Sequence, residues 1–196
     1  VRNTAVGQQA LQTNTSGNDN TAIGEKSLNL NTTGANNTAC GQGALQTNSI
    51  GIDNTACGTD ALGGNTTGVD NTAVGRSAMF TCTSGRDNTA VGRSTLFNCT
   101  TGSFNTAVGR GAADSLTTGS NNAALGFQAG FTGTRNVTTG TNITLIGYQA
   151  TIPFTNLSNT IVIGNNQISN IFAQVTTITG LSDARDKTNI ETLPLG

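Results

Sequence analysis

The chain contains no histidine and no tryptophan, and it has only two prolines, one tyrosine and one methionine among its 196 residues. Without histidine, neither a Ser-His-Asp nor a Cys-His catalytic unit can form, and imidazole metal sites are excluded. Charged residues make up 10% of the chain and the formal net charge is -1, so no surface for nucleic acid or for an anionic membrane is predicted. No apolar run reaches the length of a membrane-spanning helix, so membrane insertion is not predicted.

Glycine, asparagine and threonine take the place of the missing residue types. The chain has 26 glycines, and the three types together fill 87 of the 196 positions, whereas apolar residues account for 34%. A monomeric globular domain of this length normally contains more apolar residues and less glycine and asparagine. This composition indicates either a disordered chain or a regular repeat that places these residues at special positions.

A strict seventeen-residue repeat decides between the two. The motif N-T-A-[VIC]-G recurs at this period, with its asparagine as position 1 of the repeat and its glycine as position 5. After Gly126 the step lengthens to reach Gly147, and the original period returns at Gly164; the last two copies read NITLIG and NTIVIG. The copies begin at Asn3, Asn20, Asn37, Asn54, Asn71, Asn88 and Asn105, with the variant NAALG at Asn122. A second glycine column, at position 15, keeps the same period, and together the copies predict about ten coils.

The fold class predicted from this repeat is all-β, a parallel β-solenoid of about ten 17-residue coils. Seventeen residues are too few for two helices, and each copy has two glycines and few helix-forming residues. We expect one strand on the T-A-V-G segment and a second near A-L-Q-T, with position 5 and 15 glycines at corners that need a positive φ or a close approach. The predicted regions are a rod over 1–164, a β-rich cap over 165–181 and a separate terminal segment over 182–196.

Positions 3 and 4 of the repeat predict that one chain is not enough. They are adjacent on a strand and therefore point to opposite faces, yet both are apolar in every copy. One face lines the coil interior, whereas the other needs a cover that no segment of this chain is apolar enough to provide. We therefore expect a homo-oligomer, with a closed homotrimer as the simplest arrangement, and a thicker monomeric β-helix as the alternative.

The N-T-A-V-G and N-T-A-I-G columns with glycine corners resemble the head repeats of YadA-like trimeric autotransporter adhesins. They are still more similar to the shafts of bacteriophage tail fibres and spikes. The resemblance implies a trimeric structural and adhesive rod on a virion, which binds a host cell-surface glycan or protein receptor. The alternative is an adhesin head on a bacterial cell surface. A third, ice-binding interpretation rests on the single threonine column at position 2.

A motif near the end of the chain, S-D-A-R-D-K-T-N-I from Ser182, is similar to the opening of the self-cleaving intramolecular chaperone domain that follows many phage fibres. The resemblance implies that Ser182 is the nucleophile and Lys187 its base, and that the bond between Leu181 and Ser182 is cut. A desolvated lysine can activate a serine without histidine. The family's domain continues well beyond Gly196, so cleavage is an expectation for a longer precursor. No other enzymatic activity, no cofactor and no metal site are predicted.

For three further features we favour a structural interpretation over a functional one. Cys40 and Cys57, which replace valine or isoleucine at position 4, are predicted to be buried free thiols. Cys82 and Cys99, which replace an asparagine, are predicted to be free thiols, and no CxxC spacing suggests zinc. Charged columns at positions 6 and 17 are predicted to be solvated stripes rather than a glycan site and a cation site. The lengthened step, with Phe131 and Arg135, is predicted to be a relaxed corner. The charged columns contain Arg76, Arg93 and Arg110 at position 6, and Asp53, Asp70 and Asp87 at position 17.

Overall fold

A computed structural model of the chain describes residues 2–130, 138–152 and 157–168. Ten short strands occur in these ranges, one for each copy of the motif, and each begins at position 1 or 2 of the repeat and ends at position 4. The strands are β1 Thr4–Val6, β2 Thr21–Ile23, β3 Thr38–Cys40, β4 Thr55–Cys57, β5 Thr72–Val74, β6 Thr89–Val91, β7 Thr106–Val108, β8 Ala123–Leu125, β9 Ile143–Ile146 and β10 Thr160–Ile163.

The ten strands form one parallel sheet in which each strand pairs with the next along the chain. Equivalent positions of consecutive copies pair with each other, as Ala39 does with Ala56 and Cys40 with Cys57. The register follows from the constant period, because each full repeat returns the chain to the same place one strand higher. The described residues contain no helix, and the predicted parallel β-solenoid is confirmed.

The second predicted strand, near A-L-Q-T, is wrong, because this segment turns instead of extending. Asp60 and Leu62 have φ values of 57° and 50°, in the left-handed region, which an extended strand does not allow. The turns are closed by backbone hydrogen bonds from Ala61 N to the Gly58 carbonyl at 3.2 Å and from Asn65 N to the Leu62 carbonyl at 3.0 Å. A leucine in this conformation is unusual, and its buried side chain keeps it there.

The core of each coil is narrow and consists mainly of two alanines and one leucine. In the coil that begins at Asn54 these are Ala56, Ala61 and Leu62, all without solvent exposure. So small a core cannot hold a single coil, so each coil depends on its neighbours above and below. Backbone bonds to both neighbours provide this support: Leu62 N donates to the Ala78 carbonyl at 2.9 Å, and Asp60 N donates to the Gln42 carbonyl at 2.8 Å.

The position 1 asparagines form a continuous ladder that is buried from Asn20 to Asn122. The Asn54 Oδ1 accepts hydrogen bonds from both the backbone N and the Nδ2 of Asn71, each at 3.1 Å. The Asn71 Nδ2 also donates to the Gly85 carbonyl at 2.8 Å, which ties the strand to the corner of its own coil. The ladder therefore satisfies buried polar groups that the glycine corners leave without strand partners.

The ladder ends where the sequence motif is misleading. NITLIG looks like a motif with one extra residue, but Thr144 pairs with Ala123, so Ile143 occupies position 1 and Asn142 occupies position 17. Asn142 has a φ of 55°, in the left-handed region that the aspartates at position 17 also adopt. Ile143 is 1% exposed, and its backbone N donates to the Asn122 Oδ1 at 2.9 Å. The last two strands thus continue the sheet without asparagine in this column, with Ile143 in β9 and Thr160 in β10.

Candidate functional site

The outer face of the sheet, which we define as the strand residues at positions 2 and 4, is a regular surface that runs along the rod. Position 3 is buried from β2 to β9, whereas position 4 points outward, as the alternation along a strand predicted. Val91 at position 4 is 37% exposed and Leu125 is 52% exposed. We call the position 4 residues the outer column: Val6, Ile23, Cys40, Cys57, Val74, Val91, Val108, Leu125, Ile146 and Ile163.

The outer column is a continuous apolar stripe along the whole described rod. Ten strands at a spacing of about 4.8 Å make it roughly 45 Å long. The threonines at position 2 run beside it on the same face, and Thr38, Thr55 and Thr106 are exposed. Scattered exposed apolar residues need no explanation, but a contiguous stripe of this length marks an interaction surface.

The prediction that Cys40 and Cys57 are buried is wrong, since both lie exposed in the outer column. Because they replace valine, both cysteines were correctly expected in an apolar column. That column lies on the surface of the isolated chain instead of in its core. Cys82 and Cys99 are buried, and the prediction that all four cysteines are free thiols is confirmed. The hydrogen bond to Cys82 and burial raise the pKa of the Cys99 thiol.

The two buried cysteines interrupt a second asparagine ladder at position 12. The Asn65 Nδ2 donates to the Asn48 Oδ1 at 2.7 Å, and Asn48 bonds to Asn31 in the same way at 2.8 Å. Cys82 follows Asn65 in this column, and the Asn65 Oδ1 is buried without a hydrogen-bond partner. The column therefore changes from amide ladder to apolar packing in the middle of the rod.

Two charged columns, one positive and one negative, lie at opposite edges of the outer face. The arginine column consists of Arg76, Arg93 and Arg110 at position 6, and the acidic column consists of Asp53, Asp70 and Asp87 at position 17; all six residues are exposed. Neither column has an ion pair within the described ranges, where the pairs are Arg2 with Asp19 at 2.8 Å and Lys26 with Glu25 at 3.9 Å. The same ranges hold no cluster of three or more residues that could ligate a metal ion.

The arginine column continues into aromatic residues on the next two strands. Arg110 lies over the Phe127 ring at 5.7 Å, and the Phe127 and Tyr148 rings stack with their centroids 5.7 Å apart. The acidic column is followed in the same way by Phe104, over which Arg86 lies at 5.5 Å. The edges of the outer face therefore differ in charge in the middle of the rod. In the later coils the arginine edge becomes aromatic, whereas the other edge has one phenylalanine followed by asparagines. The period in the sequence shows that these residues form stacked columns. It does not show that the columns lie at the edges of the outer face.

Ser182 and Lys187, the residues of the predicted cleavage site, lie outside the described residues together with the Leu181–Ser182 bond. Phe131 and Arg135 of the lengthened step also lie outside them. Their roles stay predictions. Among the described residues, no helix has the length and apolar character needed to cross a membrane. Comparison of the chain with known protein families, with curated proteins and with solved structures finds no match.

Proposed function

We propose that this chain is the rod of a homotrimeric adhesive fibre, a segment of a bacteriophage tail fibre or spike on the virion. The observation that carries the proposal is the outer column, an exposed apolar stripe along every described strand. Two further copies of the chain cover it in the assembled fibre, and the low apolar content follows because part of the core lies between subunits. The resemblance of the repeats to phage fibre shafts supports the same assignment.

The work of the rod is mechanical and adhesive rather than catalytic. Each coil is tied to its neighbours through backbone hydrogen bonds and the Asn ladder, which makes a stiff spacer with few loops open to proteases. The surface that stays outside the trimer presents the fibre to a host cell-surface glycan or protein. Hydrolysis of a glycan by the rod is not part of the proposal, since paired carboxylates in a groove are needed for it.

The alternative assignment is the head of a trimeric autotransporter adhesin on a bacterial surface. It uses the same covered outer column, and the two assignments differ in the domain that comes after the rod. An outer-membrane anchor downstream of 182–196 in the full reading frame favours the adhesin, whereas a complete chaperone domain favours the fibre.

The assembly is tested by the native mass of the chain in solution. We expect light scattering after size exclusion to give three times the chain mass of 19.8 kDa. Val74→Asp combined with Val91→Asp places charges in the covered column and is expected to lower the mass to that of a monomer, because an unpaired buried charge is costly. Thr101→Asp, at an exposed position away from the outer face, is the matched control and should stay trimeric. A wild-type monomer would contradict the proposal.

Self-cleavage at Leu181–Ser182 belongs to the proposed precursor. The Ser182 Oγ attacks the Leu181 carbonyl carbon while the neutral Lys187 amine takes its proton. The Leu181–Ser182 C–N bond then breaks, the lysine returns the proton to the Ser182 amine, and the Leu181 acyl group stays on the Ser182 Oγ as an ester. Water then hydrolyses the acyl intermediate. In the full-length precursor, Ser182→Ala is expected to run as one uncut band on a denaturing gel, whereas Ser169→Ala should be cut like the wild type. A short form of the Ser182→Ala precursor would disprove the assignment.

A further inference from the structure

The two charged columns carry opposite charges, and neither column has a partner of opposite charge within the described part of the subunit. Asp70 and Arg76 flank the same strand, β5, and Asp87 and Arg93 flank β6. Stacked copies lie about 4.8 Å apart, so like charges repel within each column. None of these four side chains has an ion pair in the described part of the chain, so the isolated subunit leaves both repulsions uncompensated.

The columns cannot neutralise each other within one subunit. Positions 17 and 6 are six residues apart along a segment that crosses the outer face, a path of up to roughly 20 Å at about 3.3 Å per residue. Arg86, which adjoins Asp87 in the chain, lies over the Phe104 ring instead. Opposite charge therefore has to come from outside the subunit, at the same edges that border the apolar outer column.

From this arrangement we propose that the outer face packs against a second copy of the chain, parallel and in register. Asp70 of one copy then pairs with the partner's Arg76, and Asp87 pairs with the partner's Arg93. The inference rests on the proposed homo-oligomer and specifies its direction and its register. The apolar outer column lies between the copies, and the ion pairs close the rim of the interface.

Symmetry explains why the copies must be parallel. A rotation about an axis along the rod moves no residue up or down, so equal strands of the copies stay at equal heights. Such a rotation also brings the acidic edge of one copy to the arginine edge of the next. A two-fold axis perpendicular to the rod reverses one copy and places the acidic edge against an acidic edge and the arginine edge against an arginine edge. Like charges placed opposite each other disfavour that arrangement.

The same packing also brings together the edge residues of the neighbouring strands. On β7 the edge residues are Phe104 and Arg110, so the same packing brings a guanidinium of one copy to an aromatic ring of the next. On β4 they are Asp53 and Thr59, which form no ion pair. Matching charges thus occur on β5 and β6. A shift by one strand in one direction leaves a single ion pair, whereas the opposite shift matches Asp53, Asp70 and Asp87 with Arg76, Arg93 and Arg110. The equal heights that rotational symmetry imposes, and not the number of ion pairs, therefore fix the register.

Cross-linking tests the register directly. In a 196-residue chain whose exposed thiols are removed by Cys40→Val and Cys57→Val, Asp70→Cys together with Arg76→Cys is treated with a short bismaleimide. We expect covalent bands that end at three chains, because each Asp70→Cys position lies beside the partner's Arg76→Cys position. Asp70→Cys alone and Arg76→Cys alone are the controls and should give no linked species. Strong links in the Asp70→Cys chain alone would indicate an antiparallel assembly and overturn the proposal.

Charge reversal tests the ionic edges without a cross-linker. Arg76→Asp with Arg93→Asp is expected to weaken self-association at low salt by roughly tenfold or more, since repulsion replaces attraction at two pairs. Adding Asp70→Arg and Asp87→Arg in the same chain should restore it. Arg110→Asp, which faces no carboxylate in the proposed register, is the matched control and should change it less. If none of these substitutions changes the self-association, the proposed register is wrong and the proposed fibre is unaffected. If the wild type is a monomer, both proposals are wrong.

Discussion

Gly109→Ala is expected to destabilise the rod by about 4 kcal/mol or more, or to prevent folding. Gly109 is the position 5 corner after β7 and has a φ of 128°, which side chains of L-residues rarely adopt. A Cβ there would also overlap the Gly126 carbonyl group of the next coil, with the carbonyl carbon 2.7 Å away. That carbonyl is backbone within the stack and cannot move aside without separating two coils. Thermal or denaturant unfolding followed by circular dichroism measures the loss.

Gly111→Ala is the matched control, two residues away in the same coil. Gly111 also has a positive φ, of 66°, but an added Cβ would meet only the Gln128 side chain, at 3.4 Å. Ser77 and Ser94 occupy the equivalent position in other coils with φ values of 54° and 53°. We expect a loss of about 1 kcal/mol, the usual cost of the left-handed region for alanine. Equal effects of the two substitutions would show that close stacking at position 5 does not limit stability.

Asn71→Ala is expected to cost about 3 kcal/mol, because it breaks the buried ladder in the middle of the rod. The Nδ2 bonds from Asn71 to the Gly85 carbonyl and to the Asn54 Oδ1 are lost. The backbone N of Asn88 loses its acceptor, the Asn71 Oδ1, and stays buried. The penalty comes mainly from leaving polar groups unpaired where water cannot reach them.

The comparison for Asn71→Ala is Asn98→Ala, which changes the same residue type at an exposed position. We expect Asn98→Ala to lie within about 0.5 kcal/mol of the wild type, as surface substitutions do. The free energy of unfolding from urea titration distinguishes the two. A similarly small effect of Asn71→Ala would mean that the ladder orders the coils without stabilising them.

Much of the fold can be predicted from the period, but the two glycine columns illustrate a limit. Both were expected to need a positive φ or a close approach. Position 5 has both, whereas a position 15 glycine such as Gly85 needs only the close approach, since a Cβ there would meet the Cys82 Sγ at 2.9 Å. Repetition shows that a position tolerates only glycine without showing which constraint requires it.

The segment after each strand could not be predicted for a related reason. A-L-Q-T has the residues of a short strand, and Leu62 is buried as a strand residue would be. Its left-handed φ comes from the two turn hydrogen bonds and from packing into a narrow core, which are tertiary effects that override local propensity. The prediction that Cys57 is buried within one chain was wrong because an apolar column indicates a position away from water. It does not indicate whether one chain or several chains exclude the water.

The stacking of the coils and the register of the first eight strands follow from the constant seventeen-residue period, because it brings each residue next to its own copy in the adjoining coil. The period does not reveal which apolar column faces outward or where the charged columns lie around the coil; these are visible in the folded chain. Those outcomes depend on the path of the backbone through the left-handed turn positions, which sets the direction of each side chain around the coil. From the sequence, Asp70 and Arg76 are known only as members of two stacked columns. In the folded rod they lie at opposite edges of the same strand.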